Sequence, residues 1–459
     1  MVSPGSSSNR TDVAIVGAGP AGATAAIAFA ERGARVTLIE GHPDAAQRFA
    51  GEWIHPGGVR TLRELGVNVE ALAAHRGYGF AIFGDDGLDP VCLPYAPGEE
   101  SITRLHAELV AGLRDHACSL PGVTYLPHHV LTGIDGTTLQ LEAREGGRSV
   151  ALSAGRVIGA DGKASKVRAA IGGPAESEQL SFMAGLELEG AELPFEGLGH
   201  VVLGGPGPAL LYRVDDKRIR ACLDLPLRYA SAARRRDAVY RAFREVLPAQ
   251  LEPALRRAVE RPFSWAATGT RARTFFGRGD VWLVGDAVGH VHPLSGVGIT
   301  LGVMDAEAAA RCDSLAAYRS ERDAHVAEVL ANVLYLAFSR DDASATRVRR
   351  GLLRLLRGSA TERDRTMRLL TGEDRTGTSF ADAFLRATGL VMLTGAELSA
   401  CRRQSWVDFG RQLKSDAAWL AWPLLACAPA LDALPVRRTL ERRLTPSFSG
   451  SKATQASGA

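Results

Sequence analysis

The chain is short of cysteine, of net charge and of long apolar runs, and each shortage removes a class of protein. Its six cysteines (Cys92, Cys118, Cys222, Cys312, Cys401 and Cys427) lie at least 26 residues apart, so no paired-thiol zinc or redox motif exists. Thiols this sparse suit a reducing compartment. With 54 basic and 51 acidic residues the net charge is only +3, too little for a nucleic-acid footprint. No stretch reaches the roughly 20 apolar residues of a spanning helix, and the N-terminal MVSPGSSSNR lacks the apolar core of a secretory signal. A cytoplasmic chain is expected. A metal site is not: His128-His129 and His290/His292 lack a third ligand at suitable spacing.

What is abundant is glycine, 50 of 459 residues, against about 7% in average usage. At 46% hydrophobic and 23% charged the composition is that of a globular protein of two or three domains. Charge is uneven. Residues 340–459 hold 20 basic and 12 acidic residues, a surplus of 8, leaving residues 1–339 at −5.

Three glycine-bearing motifs carry chemistry. The first is Gly17-Ala-Gly19-Pro-Ala-Gly22, between the apolar run Val13–Val16 and a helix-forming stretch Ala21–Arg32, followed by a second strand that ends in Glu40. Such glycines serve a tight turn, close approach to a pyrophosphate and helix–strand packing, while the helix N-terminus faces the phosphates and the carboxylate takes a ribose hydroxyl pair. The second is Gly159-Ala-Asp161-Gly162, where a strand ends and Ser165 caps a helix. The third is Gly285-Asp286-Ala287, then Pro293-Leu-Ser-Gly296-Val-Gly298-Ile-Thr300. Here a strand delivers Asp286 to a polyol hydroxyl, the Gly296/Gly298 backbone lies flat on a planar ring, and a helix starting near Ile299 points its positive end at that ring.

These motifs, in this order, resemble those of the FAD-dependent aromatic-hydroxylase and epoxidase superfamily. Nearly the whole chain is similar to its squalene monooxygenase (squalene epoxidase) branch. Branch-specific matches are Arg48-Phe-Ala-Gly51-Glu52, Pro56-Gly57-Gly58, Leu62–Leu65-Gly66, His292–Thr300 and Val329–Asp342. The resemblance implies an α/β FAD-binding domain (11–75, 100–176 and 262–330) interleaved with an antiparallel-sheet substrate domain (76–99 and 177–261). A C-terminal helical region (331–445) follows, with flexible tails at 1–10 and 446–459. It further implies FAD contacts from Arg48, Glu52 and Arg104. The expected reaction is epoxidation of an isoprenoid alkene with O2 by way of a flavin C4a-hydroperoxide. No second dinucleotide motif is present, so the reductant is an external flavin or NAD(P)H-dependent reductase.

The departures from that branch are as informative. His55 stands where a glutamine precedes Pro-Gly-Gly, Phe80 where the family has an active-site tyrosine, with Tyr78 two residues away, and Gly289 where it has asparagine. The family's N-terminal membrane helix has no counterpart. His55, Phe80 and Tyr78 are therefore the candidate catalytic residues. The segment Ala417–Leu431, with Trp419 and Trp422 and four arginines between 437 and 443, suits either peripheral contact with an anionic membrane or a helical cover for the substrate domain. Two other readings stay open: a prenyl-chain reductase or halogenase-like enzyme, and a prenyl-binding carrier without flavin. Against a halogenase, Trp265 has no paired tryptophan and no lysine beside it.

Overall fold

The computed structural model describes residues 10–44, 49–230, 235–323 and 325–374, with Arg386. Its first sheet has a parallel centre. Val281–Leu283, Ser149–Gly159, Arg10–Val16, Val36–Glu40 and Val123–Pro127 lie side by side in that order. A parallel sheet is covered on both faces, which is why Val13, Ala14, Ile15, Leu38, Val157 and Ile158 form unbroken buried runs instead of alternating. The helix Pro20–Ala30 starts on a proline at its first turn and is built from small residues buried almost all round, as suits a helix packed between a sheet and other helices.

The second sheet has seven strands in the order Ser264–Thr270, Glu178–Glu189, Arg218–Pro226, Ala209–Arg213, Gly199–Val202, Gly79–Phe83 and Val91–Pro94. Alternation is strict here. Ala209 and Leu211 face the helices Arg236–Phe243 and Glu252–Glu260, while Leu210 and Tyr212 face the other way. That other face is roofed by three helices from the C-terminal part, His325–Ser339, Ala343–Gly358 and Ala360–Leu370.

Charge pairs pin the roof to the turn after Gly79–Phe83. Arg349 Nε donates to Asp85 Oδ2 at 3.0 Å, and the Arg357 guanidinium takes both oxygens of Asp86 at 2.7 and 3.1 Å. Arg349 also donates to the carbonyls of Ala337 and Arg340, which closes the end of the preceding helix. No helix among the described residues is long and apolar enough to cross a membrane. The segment 417–443, residues 1–9 and 446–459 and Arg48 lie outside the described residues, and Arg10 of the expected N-terminal tail instead begins the first strand.

Candidate functional site

Four parallel strands end level. Val16 pairs with Ile39 on one side and Gly159 on the other, and Gly159 pairs with Leu283. All three motifs and Glu40 thus open on one crevice at the carboxyl ends of the sheet, where α/β sheets bind ligands. Gly17 sits at φ +100°, and a Cβ there would lie 2.5 Å from the Ala160 oxygen, so the first motif seats against the second. A Cβ at Gly22 would fall 1.8 Å from the Gly17 carbonyl oxygen. At Gly19 and Gly162, by contrast, it would meet nothing within 4 Å, leaving open backbone toward the crevice.

Glu40 is held at the rim of the first loop, accepting from the Ala18 and His42 amides at 2.9 and 2.8 Å. Arg114, which the sequence reading missed, donates to the Ala18 carbonyl at 2.6 Å and to that of Pro43 at 3.1 Å. Nothing local to Arg114 distinguishes it from the other arginines of the chain; only the fold brings it to the glycine loop. Asp161 Oδ2 accepts from the Lys166 and Val167 amides at 2.6 and 3.1 Å, while its Oδ1 is buried without a partner. Burial pushes that carboxyl's pKa up.

The third loop is anchored from beneath. The Gly285 amide and Arg273 share Asp305 Oδ2 at 2.9 and 2.6 Å, Arg322 takes Oδ1 at 2.8 Å, and Arg273 also reaches the carbonyls of Gly285 and Gly289. Against the upward push of burial, the two arginines hold the Asp305 carboxyl below its usual range. Asp286 Oδ1 lies 4.0 Å from where a Gly298 Cβ would stand, beside the first turn of the helix Gly298–Arg311. Pro293 opens the turn that ends at Gly296, whose φ of +65° suits glycine. A Cβ at Gly289 would crowd the carbonyl oxygens of Arg271 and Ala272 at 2.6 and 2.7 Å, so the asparagine of the similar family does not fit this backbone.

An orphaned buried carboxylate oxygen, open glycine backbone and two helix N-termini on one crevice fit an FAD. Two expected contacts are otherwise engaged. Arg104 is committed to Glu108 and to the carbonyls of Ala71 and Leu72. Glu52 is buried and takes both donors of Arg220 at 2.7 and 2.8 Å and the Tyr212 hydroxyl at 3.1 Å, so its carboxylate braces the substrate sheet.

Next to Gly296 a cavity of about 620 Å³, part of it open to solvent, runs between the second sheet and its roof. His55, Leu294 and Ser295 line one end, Phe80, Ile82, Leu93 and Val201 the floor, and Ala331, Leu334, Phe338, Leu352, Leu356, Thr366 and Leu370 the roof. His55 is fully buried, and its tautomer follows from its neighbours. The Ser295 carbonyl, 2.9 Å from Nε2, can only accept, so Nε2 carries the proton and Nδ1 accepts from the Tyr95 hydroxyl at 2.7 Å. Tyr95 in turn accepts from Trp53 Nε1 at 3.1 Å. Burial pushes the His55 pKa down to about 4, so the ring is neutral at physiological pH.

Phe80 stacks on Trp53 with ring centroids 5.0 Å apart and forms part of the cavity floor. Tyr78 does not join it. Gly79 at φ +141° turns the strand, and the Tyr78 side chain is 51% exposed, packed toward Gly197. The tyrosine that meets His55 is Tyr95, at the end of the neighbouring strand, which no local sequence signal singles out.

Residues 10–332 match the FAD binding domain family, and the chain belongs to it, with FAD as its cofactor. Its sequence is also similar to squalene epoxidases. It is 27% identical over 376 residues to squalene monooxygenase of Mus musculus, a match covering 74% of this chain and 64% of that protein. With squalene epoxidase ERG1 of Candida albicans it shares 28% over 354 residues, covering 65% and 71%. The chain thus spans a little under two thirds of the mouse relative. Solved structures share the fold at lower identity. A p-nitrophenol 4-monooxygenase from Pseudomonas putida superposes at TM-score 0.65 with 19% identity over 82% of this chain and 98% of its own. The flavin-dependent brominase Bmp2 gives 0.66 with 16% over 86% and 100%.

Proposed function

We propose that this chain is an FAD-dependent monooxygenase that epoxidises a carbon–carbon double bond of a lipophilic isoprenoid, squalene or a prenylated compound, with O2 and reducing equivalents from an external flavin or NAD(P)H-dependent reductase. The observation that carries this reading is the cavity beside Gly296. No charged side chain of the described residues lines it, and apart from His55, Ser295 and Thr366 the lining is apolar. A site of this kind has no anchor for an ionised head group. It holds a chain by burial alone, at about 0.8 kcal/mol per CH2.

Bound and reduced, FAD supplies the oxygen activation, and the protein supplies position and dryness. His55 is not poised as an acid or base, since both ring nitrogens are engaged; it fixes the Ser295 carbonyl and presents its ring to the cavity. Ser295 Oγ is buried without a partner at the same end, a hydrogen-bonding group free to meet a polar atom of a bound substrate or flavin. Phe80 and Leu294 shape the apolar wall there and exclude water. Whether 417–443 reaches a membrane is a separate proposal, tested by flotation of the full chain with anionic vesicles.

Anaerobic reduction followed by O2, with squalene and with a prenylated aromatic in separate vessels, tests the reading. Product one oxygen heavier from either supports it. Saturated product formed without O2 would make the chain a reductase. Halide incorporation would make it a halogenase, a reading that the cavity disfavours because no lysine of the described residues lines it.

A further inference from the structure

Behind the flavin-facing turn lies a buried polar cluster that the proposed reaction does not use. Asp224, fully buried, stands on the strand Arg218–Pro226 with no lysine or arginine among the described residues paired to it; instead it collects three hydrogen bonds. Ser181 Oγ donates to Oδ1, His292 Nε2 reaches Oδ1 at 3.3 Å, and the Tyr335 hydroxyl donates to Oδ2 at 3.1 Å. Thr268 completes the group through the Ser181 hydroxyl. The Leu294 amide donates to His292 Nδ1 at 3.3 Å, which leaves the ring proton on Nε2, shared between Asp224 Oδ1 and the Ser181 hydroxyl at 3.2 Å. The His292 ring stacks on Tyr335, centroids 3.8 Å apart and 23° from parallel.

Three pieces of chain therefore meet on one carboxylate: the substrate sheet, the turn that begins at His292, and the roof helix His325–Ser339. Leu294 and Ser295 on that turn line the cavity, as do Leu334 and Phe338 on either side of Tyr335. Burying a carboxylate costs desolvation that its hydrogen bonds must offset, and three directional bonds to one group fix the relative placement of their donors.

We infer that Asp224, His292 and Tyr335 form a positioning relay that locks the roof helix to the flavin-facing turn, holding the substrate chain and the flavin edge in one register. The inference rests on the FAD-dependent monooxygenase reading. Three variants test it in the FAD-loaded enzyme: Tyr335→Phe, Asp224→Asn and, as a control that touches neither turn nor helix, Thr268→Val. Tyr335→Phe is expected to bind FAD and unfold within a few degrees of the parent. Its bound-flavin absorption and fluorescence should nonetheless change, and hydrogen peroxide released per O2 consumed should rise at least threefold with substrate present. Asp224→Asn should do the same more strongly, and Thr268→Val should leave the flavin spectra as in the parent.

Parent-like spectra and peroxide release in both relay variants overturn the inference, as does a Thr268→Val variant that changes the spectra as much as Tyr335→Phe does. The flavin spectra need no substrate. A wrong substrate assignment therefore shows as absent product with spectra still responding to the relay, and a failed relay shows as product formed with spectra unmoved.

Discussion

Around the carboxyl ends of the parallel strands the shaping is done by backbone: Gly17 and Gly22 are packed so closely that no Cβ fits, and Gly19 and Gly162 leave main chain bare toward the crevice. In the cavity beside Gly296 the shaping is done by side chains, drawn among the described residues from residue 55 to residue 370, with no glycine among those residues. The cofactor region asks for a few atoms at fixed places within short segments. The substrate region asks for a volume, and many side-chain combinations enclose the same volume. The first should fail abruptly on small changes, the second by degrees.

The largest effect expected is from Gly22→Ala. Its Cβ would stand 1.8 Å from a backbone oxygen, and the protein should purify without yellow colour; flavin occupancy above one half would break the contrast. Next is Ala331→Phe, which puts a ring into the roof side of the cavity. The expected outcome is a KM for the alkene raised at least tenfold, about 1.4 kcal/mol, with flavin content unchanged. His55→Ala removes the bond to the Ser295 carbonyl and should lower product per reduced flavin several-fold while FAD affinity changes less than threefold.

Acid should act on the buried histidines. Burial pushes His55 and His200 down to about 4 and His290 to about 3 from an ordinary 6.5. The unfolded chain binds their protons first as pH falls, so the stability they contribute is full above about pH 6.5 and drains away from there down through pH 4. A thermal midpoint that held constant over that range would contradict the burial of these rings. The smallest effect is expected at exposed Tyr78: Tyr78→Phe should leave turnover and KM within twofold.

The same contrast governs what was legible in the sequence. Gly17–Gly22, Asp161-Gly162 and Gly285-Asp286 read clearly because a phosphate-binding turn is a local object, with spacing set by backbone geometry. The strands Ala209–Arg213 and Arg218–Pro226 carry their two faces in the order of their own residues. Tyr95, Arg114 and Asp224 were not legible, because each acquires its role from a neighbour at least 40 residues away in the chain. Arg104 and Glu52 stand near motif residues, yet their side chains bond to Glu108, four residues on, and to Arg220, 168 residues away, a pairing that only the fold reveals. Tyr78 entered only through its nearness to Phe80, and Gly79 between them turns the strand so that Tyr78 stays exposed.

The most direct test of the account supplies heavy-isotope O2 to the reduced, FAD-loaded enzyme with squalene and reads the product mass. The account predicts an epoxide carrying one heavy oxygen atom, formed only when O2 is present. Oxygen drawn from water, or a product with no added oxygen, would contradict it.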